Sequence, residues 1–250
     1  MTAGAILVVL ATSALGVGLL IGTVGIGGLL ITPVLIYVVG LPVHQAMATA
    51  LCSFVATNLF GALAYYRHGS IDWAITLPLA GGAVLFGFIG AVVNAVTASG
   101  VLSILLGAVV MFAGVYVLVG SRRRRISPFQ DRPLRRAVLL VSIGAFAGFG
   151  SVLVGAGGPI LLVPVMLATG FAPLPTIGAG QVLGVLAAGS GTVGNLTYGS
   201  IDFKVAATIA TFQVVGVLLG ARIAHAINAA TVRWMAAWLC VLVGIAMLVI

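Results

Sequence analysis

Apart from SRRRRISPFQDRPLRR at residues 121–136, the chain contains no strongly polar stretch. Long apolar runs fill both sides of it, near 3–21, 28–40, 44–66, 73–94 and 99–120, then near 137–153, 159–170, 175–198, 203–226 and 231–250. They lack the alternation of a half-buried strand, so helices are expected rather than a β-barrel. A soluble domain of this size would need a charged surface to cover its core. Here only 6% of residues are charged, three are Asp and none is Glu, and the mean hydropathy is +1.33. The chain reads as an all-α integral membrane protein.

The formal net charge of +8 does not point to nucleic acid. Seven of the eleven basic residues, Arg122 to Arg125, Arg132, Arg135 and Arg136, sit in the one linker, as in cytoplasmic loops of membrane proteins. Cys52 and Cys240 both fall inside apolar runs and read as small core residues, not a disulfide or a metal pair. No charged region precedes the first apolar run, so a cleaved signal peptide is not expected.

The chain repeats itself across the linker. GTVGIGGLLITPVLIYVVGLP at 22–42 returns as GSVLVGAGGPILLVPVMLATGFAP at 150–173. Gly25, Gly27 and Gly28 match Gly155, Gly157 and Gly158 at an offset of 130 residues, and Pro33 and Pro42 match Pro164 and Pro173 after one insertion. GSID at 69–72 recurs at 199–202, and Gly61, Gly90 and Gly114 match Gly191, Gly220 and Gly244 at the same offset. The domains are therefore a first transmembrane repeat at 1–120, a basic cytoplasmic linker at 121–136 and a second repeat at 137–250.

Residues 3–40 would make a helix of about 57 Å, too long for one crossing of a hydrocarbon core of about 30 Å. A hairpin that turns at the glycine cluster resolves this. Each half then crosses an odd number of times, and the two halves are oppositely oriented. With the linker inside, both termini lie outside. Arg67, Arg222 and Arg233 then lie inside, and only Lys204 lies outside. The expected fold is two inverted repeats, each a broken glycine-rich hairpin plus three transmembrane helices, with 8 to 10 membrane segments in all. Inverted repeats with broken helices are a signature of secondary transporters.

Candidate substrate-binding residues follow from that shape. Gly25, Gly27 and Gly28, with Gly155, Gly157 and Gly158, would let a ligand approach the backbone, and the short helix after each cluster aims its N-terminus at an anion. The competing reading is close helix packing. The third segments add neutral donors: Thr49, Ser53, Thr57 and Asn58 in the first half, Gln181 and Asn195 in the second. These can hold an oxyanion or simply bond neighbouring helices. Asp72 and Asp202 read as helix-start residues. His44, His68 and His225 lack metal-ligand spacing, and no metal or cofactor is expected. No acidic residue falls mid-segment, which disfavours a cation or proton carrier.

The doubled glycine cluster with its proline, and the two GSID tetrapeptides, resemble the TauE/SafE family of membrane transporters, also called the toluene-sulfonate uptake permease family. The resemblance covers both halves and the linker. It implies a bacterial inner-membrane protein that transports small sulfur-containing anions such as sulfite, sulfonates and sulfoacetate. Family members often carry a Thr-Ser pair early in the third segment, where this chain has Thr49-Ala50 and Ala179-Gly180. The expected partners are a small anionic substrate, the lipid bilayer and, as an open option, a second copy in a homodimer, with no nucleic acid. An intramembrane enzyme would need a nucleophile paired with a base, and the sequence leads us to expect no Ser or Cys in a turn paired with a helix-borne His. A structural membrane subunit is the other alternative, but would not explain two broken hairpins.

Overall fold

The computed structural model describes residues 3–96, 132–153, 160–198 and 201–249, with positions 108, 111–112, 114–115 and 118–119 between them. Among the described residues every regular element is a helix. In the first half α1 is Ala3–Val24, α2 is the short run Gly28–Val39, α3 is Val43–Arg67 and α4 is Trp73–Val96. In the second, α5 is Pro133–Leu153, α6 is Leu162–Ala168, α7 is Pro173–Tyr198, α8 is Phe203–Ala226 and α9 is Ala229–Val249. Five of these, α1, α3, α5, α7 and α8, are long and apolar enough to cross a membrane. The expected segment at 99–120 and most of the linker lie outside the described residues.

The break between α1 and α2 falls where the glycines predict it. Gly25 has φ +75° and Gly27 φ +152°, backbone geometry that other residues adopt at a cost. The chain then restarts as a 3₁₀ turn at Gly28–Leu30, becomes α-helical at Ile31–Val34 and ends as a π turn at Leu35–Val39. Pro33 sits near the start of the α-helical part, where a missing N–H costs little. Gly40, with φ +82°, closes α2, and its counterpart Gly170, with φ +96°, lies just past α6. In the second half Gly155, Gly157 and Gly158 lie outside the described residues.

The two halves are interlaced. α1 packs on α8, α4 packs on α5, and α3 packs on α7, with further contacts of α3 to α8 and of α4 to α7. Every one of these pairings survives exchange of the two halves. The detail repeats as well. A Cβ at Gly18 would meet the Gln213 backbone, and one at Gly148, 130 residues on, would meet Ala83, the matching position. Likewise Gly220 meets Leu19 and Gly90 meets Phe149.

The same contacts give directions. Gly18 lies at Gln213, Gly22 at Val217 and Thr23 at Gly220, so α1 and α8 run parallel. Gly144 lies at Leu79 and Gly90 at Phe149, so α4 and α5 run parallel too. In contrast Gly61 lies at Gln181, Gly184 at Asn58 and Gly191 at Leu51, so the equivalent helices α3 and α7 are antiparallel. Arg67 ends α3, Arg222 lies in the last turns of α8 and Arg233 in the first turns of α9. His68, next to Arg67, stacks on His225 at a centroid distance of 4.2 Å, which places the ends of α3 and α8 together. Contrary to the expectation from sequence, a turn serine does meet a helix-borne histidine here, Ser70 Oγ lying 2.8 Å from His225 Nε2, because the chain turn after α3 packs on the end of α8. The start of α5, with Arg135 and Arg136, shares that end because α5 parallels α4. Lys204 begins α8 at the opposite end.

Large apolar side chains such as Leu7, Leu85, Phe86, Val138, Val193 and Leu242 point outward. That is the surface of a protein whose solvent is lipid. Inside are two apolar clusters. One joins Val24 and Ile26 of the first hairpin to Ile160, Leu161, Leu162 and Val163 of the second half. The other fills the space between α1, α2, α3 and α8.

Candidate functional site

The first hairpin packs against the second half. A Cβ at Gly25 would stand 2.8 Å from Val163 Cγ2 and 3.3 Å from Ile177 Cγ2, so the first turn presses directly on α6 and α7. Gly27 differs from the expectation that its missing Cβ leaves room for a ligand. The Cβ would meet Leu20 and Val17 of α1, so here the glycine serves the turn itself. Gly28 is buried at the start of α2, and no side chain caps that N-terminus.

Two side chains hold the broken end of α1. Gln181 Nε2 donates to Ile21 O at 2.9 Å, and Tyr65 OH donates to Gly22 O at 2.8 Å. Both are fully buried. A helix that stops inside an apolar bundle leaves carbonyls short of partners; Tyr65 supplies one to Gly22 O, and Gln181 adds a second donor to Ile21 O beside Gly25 N. Gln181, read from sequence as a substrate ligand, thus has its amide donor engaged at the hairpin. Tyr65 is a residue that sequence reasoning missed, since nothing local sets this Tyr apart from Tyr66.

The polar residues of α3 divide between two places. Thr49 Oγ1 accepts from Asp202 N at 3.1 Å, near the Lys204 end. Asn195, half-buried, donates to Gly191 O at 2.7 Å and lies toward that same end of α7. Deeper in the bundle, Ser53 donates to Ala50 O at 2.7 Å, and Asn58 Nδ2 donates to Phe54 O at 2.9 Å. Thr57 Oγ1 lies 3.0 Å from Ser53 O and donates across to Gln213 Oε1 of α8 at 2.9 Å. Ser53, Thr57, Asn58 and Gln213 are all buried. This Thr57–Gln213 pair bridges the two halves, and Gln213 is the second residue that sequence reasoning missed.

The two described acidic residues are placed as helix caps. Asp202 Oδ1 accepts from Lys204 N and Val205 N, each at 3.0 Å, and Asp72 Oδ1 accepts from Ala74 N at 2.9 Å. No group of three or more His, Cys, Asp or Glu that could hold a metal occurs among the described residues. The site region thus offers backbone amides, hydroxyls and carboxamides, with no fixed charge among the described side chains.

The model of the family described as sulfite exporter TauE/SafE matches residues 10–247. The chain belongs to the TauE/SafE family. Curated relatives carry transporter names across most of their length. A probable membrane transporter protein of Xylella fastidiosa (strain Temecula1 / ATCC 700964) is 31% identical over 209 residues, 82% of this chain and 78% of the relative. The probable membrane transporter proteins YjnA and YdhB of Bacillus subtilis (strain 168) are 28% and 24% identical, covering 83% and 82% of this chain and 86% and 85% of the relatives. No solved structure matches the chain. As a TauE/SafE protein it is a multi-pass membrane protein of a transporter family, and the long apolar helices fit that membership.

Proposed function

We propose that this protein is a secondary transporter or facilitator that moves a small sulfur-containing oxyanion, such as sulfite or a sulfonate, across the bacterial cytoplasmic membrane. The observation that carries this reading is the chemistry of the interior. The polar groups beside the hairpins are neutral donors, and both described acids outside the linker are committed to helix starts. A cation carrier would keep an acid mid-membrane. An oxyanion is instead held by N–H and O–H groups, and the uncapped start of α2 adds backbone donors to them. On this reading the substrate sits beside the first hairpin, near Gly25, Gly28 and Thr57, and Gly155, Gly157 and Gly158 are its candidate ligands from the second half. The family description of sulfite export supports the choice of sulfur chemistry. The test is counterflow in liposomes. Vesicles holding purified protein and unlabelled sulfite should accumulate labelled sulfite, and vesicles that do not, for sulfite or any sulfonate, end this reading.

The halves are inverted repeats on this reading. The antiparallel run of the equivalent helices α3 and α7 supports it, as does the gathering of Arg67, Arg135, Arg136, Arg222 and Arg233 at one end. The arginine end is the cytoplasmic one, which leaves both termini outside. In a background without Cys52 and Cys240, Lys204→Cys should react with a membrane-impermeant maleimide on intact cells of a bacterial host whose outer layer is made permeable. Asn228→Cys should react only once the inner membrane is opened. The reverse pattern overturns the orientation.

A further inference from the structure

Gln213 is a fully buried carboxamide in a cluster otherwise built from Ile209, Val217, Phe54, Val17 and Ile21. Its oxygen accepts from Thr57, and its Nε2, a donor of two hydrogens, has no partner among the described residues. A buried donor left unsatisfied is costly in an apolar interior, so packing alone does not account for it.

The duplication supplies an internal control. At an offset of 130 residues, Gln213 corresponds to Ala83 and Thr57 to Ala187. Ala83 and Ala187 line one small cavity together with Gly148, Ser151, Leu183 and Gly184. Gly148 touches Ala83 as Gly18 touches Gln213, so the two places are structurally equivalent. The second half therefore holds the same architecture with two alanines and a void. Neither the amide nor the hydroxyl is required to build it. If the first half needed only volume there, Met or Leu would fill it without stranding a donor.

We propose that Gln213, positioned by Thr57, donates from Nε2 to the bound oxyanion, so that the substrate is read by one half only and the cavity between α4, α5 and α7 is its non-binding counterpart. This rests on the anion-transport reading above and adds to it a specific donor and a functional inequality between halves. The site is off the pseudo-symmetry axis, on the α3–α8 side.

The test compares wild type with Gln213→Met in detergent, measuring binding of sulfite and of ethanesulfonate together with the thermal midpoint. The donor assignment expects binding weakened roughly ten- to hundredfold, as for loss of a hydrogen bond to a charged group. The midpoint should be unchanged or higher, because the orphan donor is gone. Wild-type binding that Gln213→Met leaves intact overturns the assignment, and so does a midpoint that falls in step with affinity. If Gln213→Met does not fold, Gln213→Ala takes its place, since alanine already occupies the equivalent site in α4. A wild-type protein that binds neither anion overturns the transport reading itself and this inference with it.

Discussion

Gly220→Val should leave little folded protein in the membrane, while Gly16→Ala, two residues from the same interface, should leave it unchanged. A Cβ at Gly220 would meet the Leu19 backbone and, at 2.9 Å, both Thr23 N and Thr23 Oγ1. Backbone atoms cannot swing aside as a side-chain tip can, so α1 and α8 must separate. Gly18, Gly22 and Gly216 meet partner backbone in the same way, and moving one contact moves them all. Overpacking of this kind typically costs about 1–3 kcal/mol per site, and here the clash is with backbone along a shared ridge. Gly16 has nothing within 4 Å of its Cβ position, so alanine there adds helix propensity without a clash. Monodisperse yield by size-exclusion chromatography reads the difference. Equal yields for the two variants would show that the α1–α8 contact is looser than described.

Tyr65→Phe should lower the thermal midpoint and slow transport, and the Tyr65→Phe, Gln181→Leu pair should do so much more strongly. Tyr65→Phe leaves Gly22 O without its side-chain donor, and Gln181→Leu removes one of the two donors of Ile21 O, which keeps Gly25 N. An acceptor stranded in a buried position costs about 1–3 kcal/mol. Both carbonyls belong to one break in one helix, so the losses should not be additive. The turn at Gly25 and Gly27 then loses its fixed position against α6, and with it the donors of α2 lose theirs. Proteoliposome uptake and the midpoint should both report this. Wild-type values on both measurements for Tyr65→Phe would remove Tyr65 from the account of the hairpin.

Much of the fold was legible because lipid imposes regular helices, and because the glycine clusters mark where regularity fails. The hairpin at Gly25–Gly28 and the caps at Asp72 and Asp202 fall where residue chemistry puts them. Gly90 and Gly220 were visible as a matched pair, but not that each receives the backbone of a helix from the other half. That contact depends on a partner far away in the chain, and nothing local announces it. The candidate site shows the same limit. Thr57 stood out on a polar stripe, whereas Gln213 sits alone on α8, and its partner lies 156 residues away. Gln181 was recognised as a neutral polar donor, yet its engagement with Ile21 required the neighbouring helix. The second glycine cluster lies outside the described residues.

The interlacing of the halves also sets the order of biosynthesis. The helix that α1 needs begins at Phe203. At about 5–20 residues per second, α1 waits roughly 10–40 s in the bilayer before its partner is made. Throughout that time its glycine ridge faces lipid or the insertion machinery. α4 has a shorter wait, since α5 follows directly after the linker. A ribosome that stalls before residue 203 therefore leaves α1 unpaired beside a completed α4–α5 contact. Such a truncated chain is the form that membrane quality control would meet.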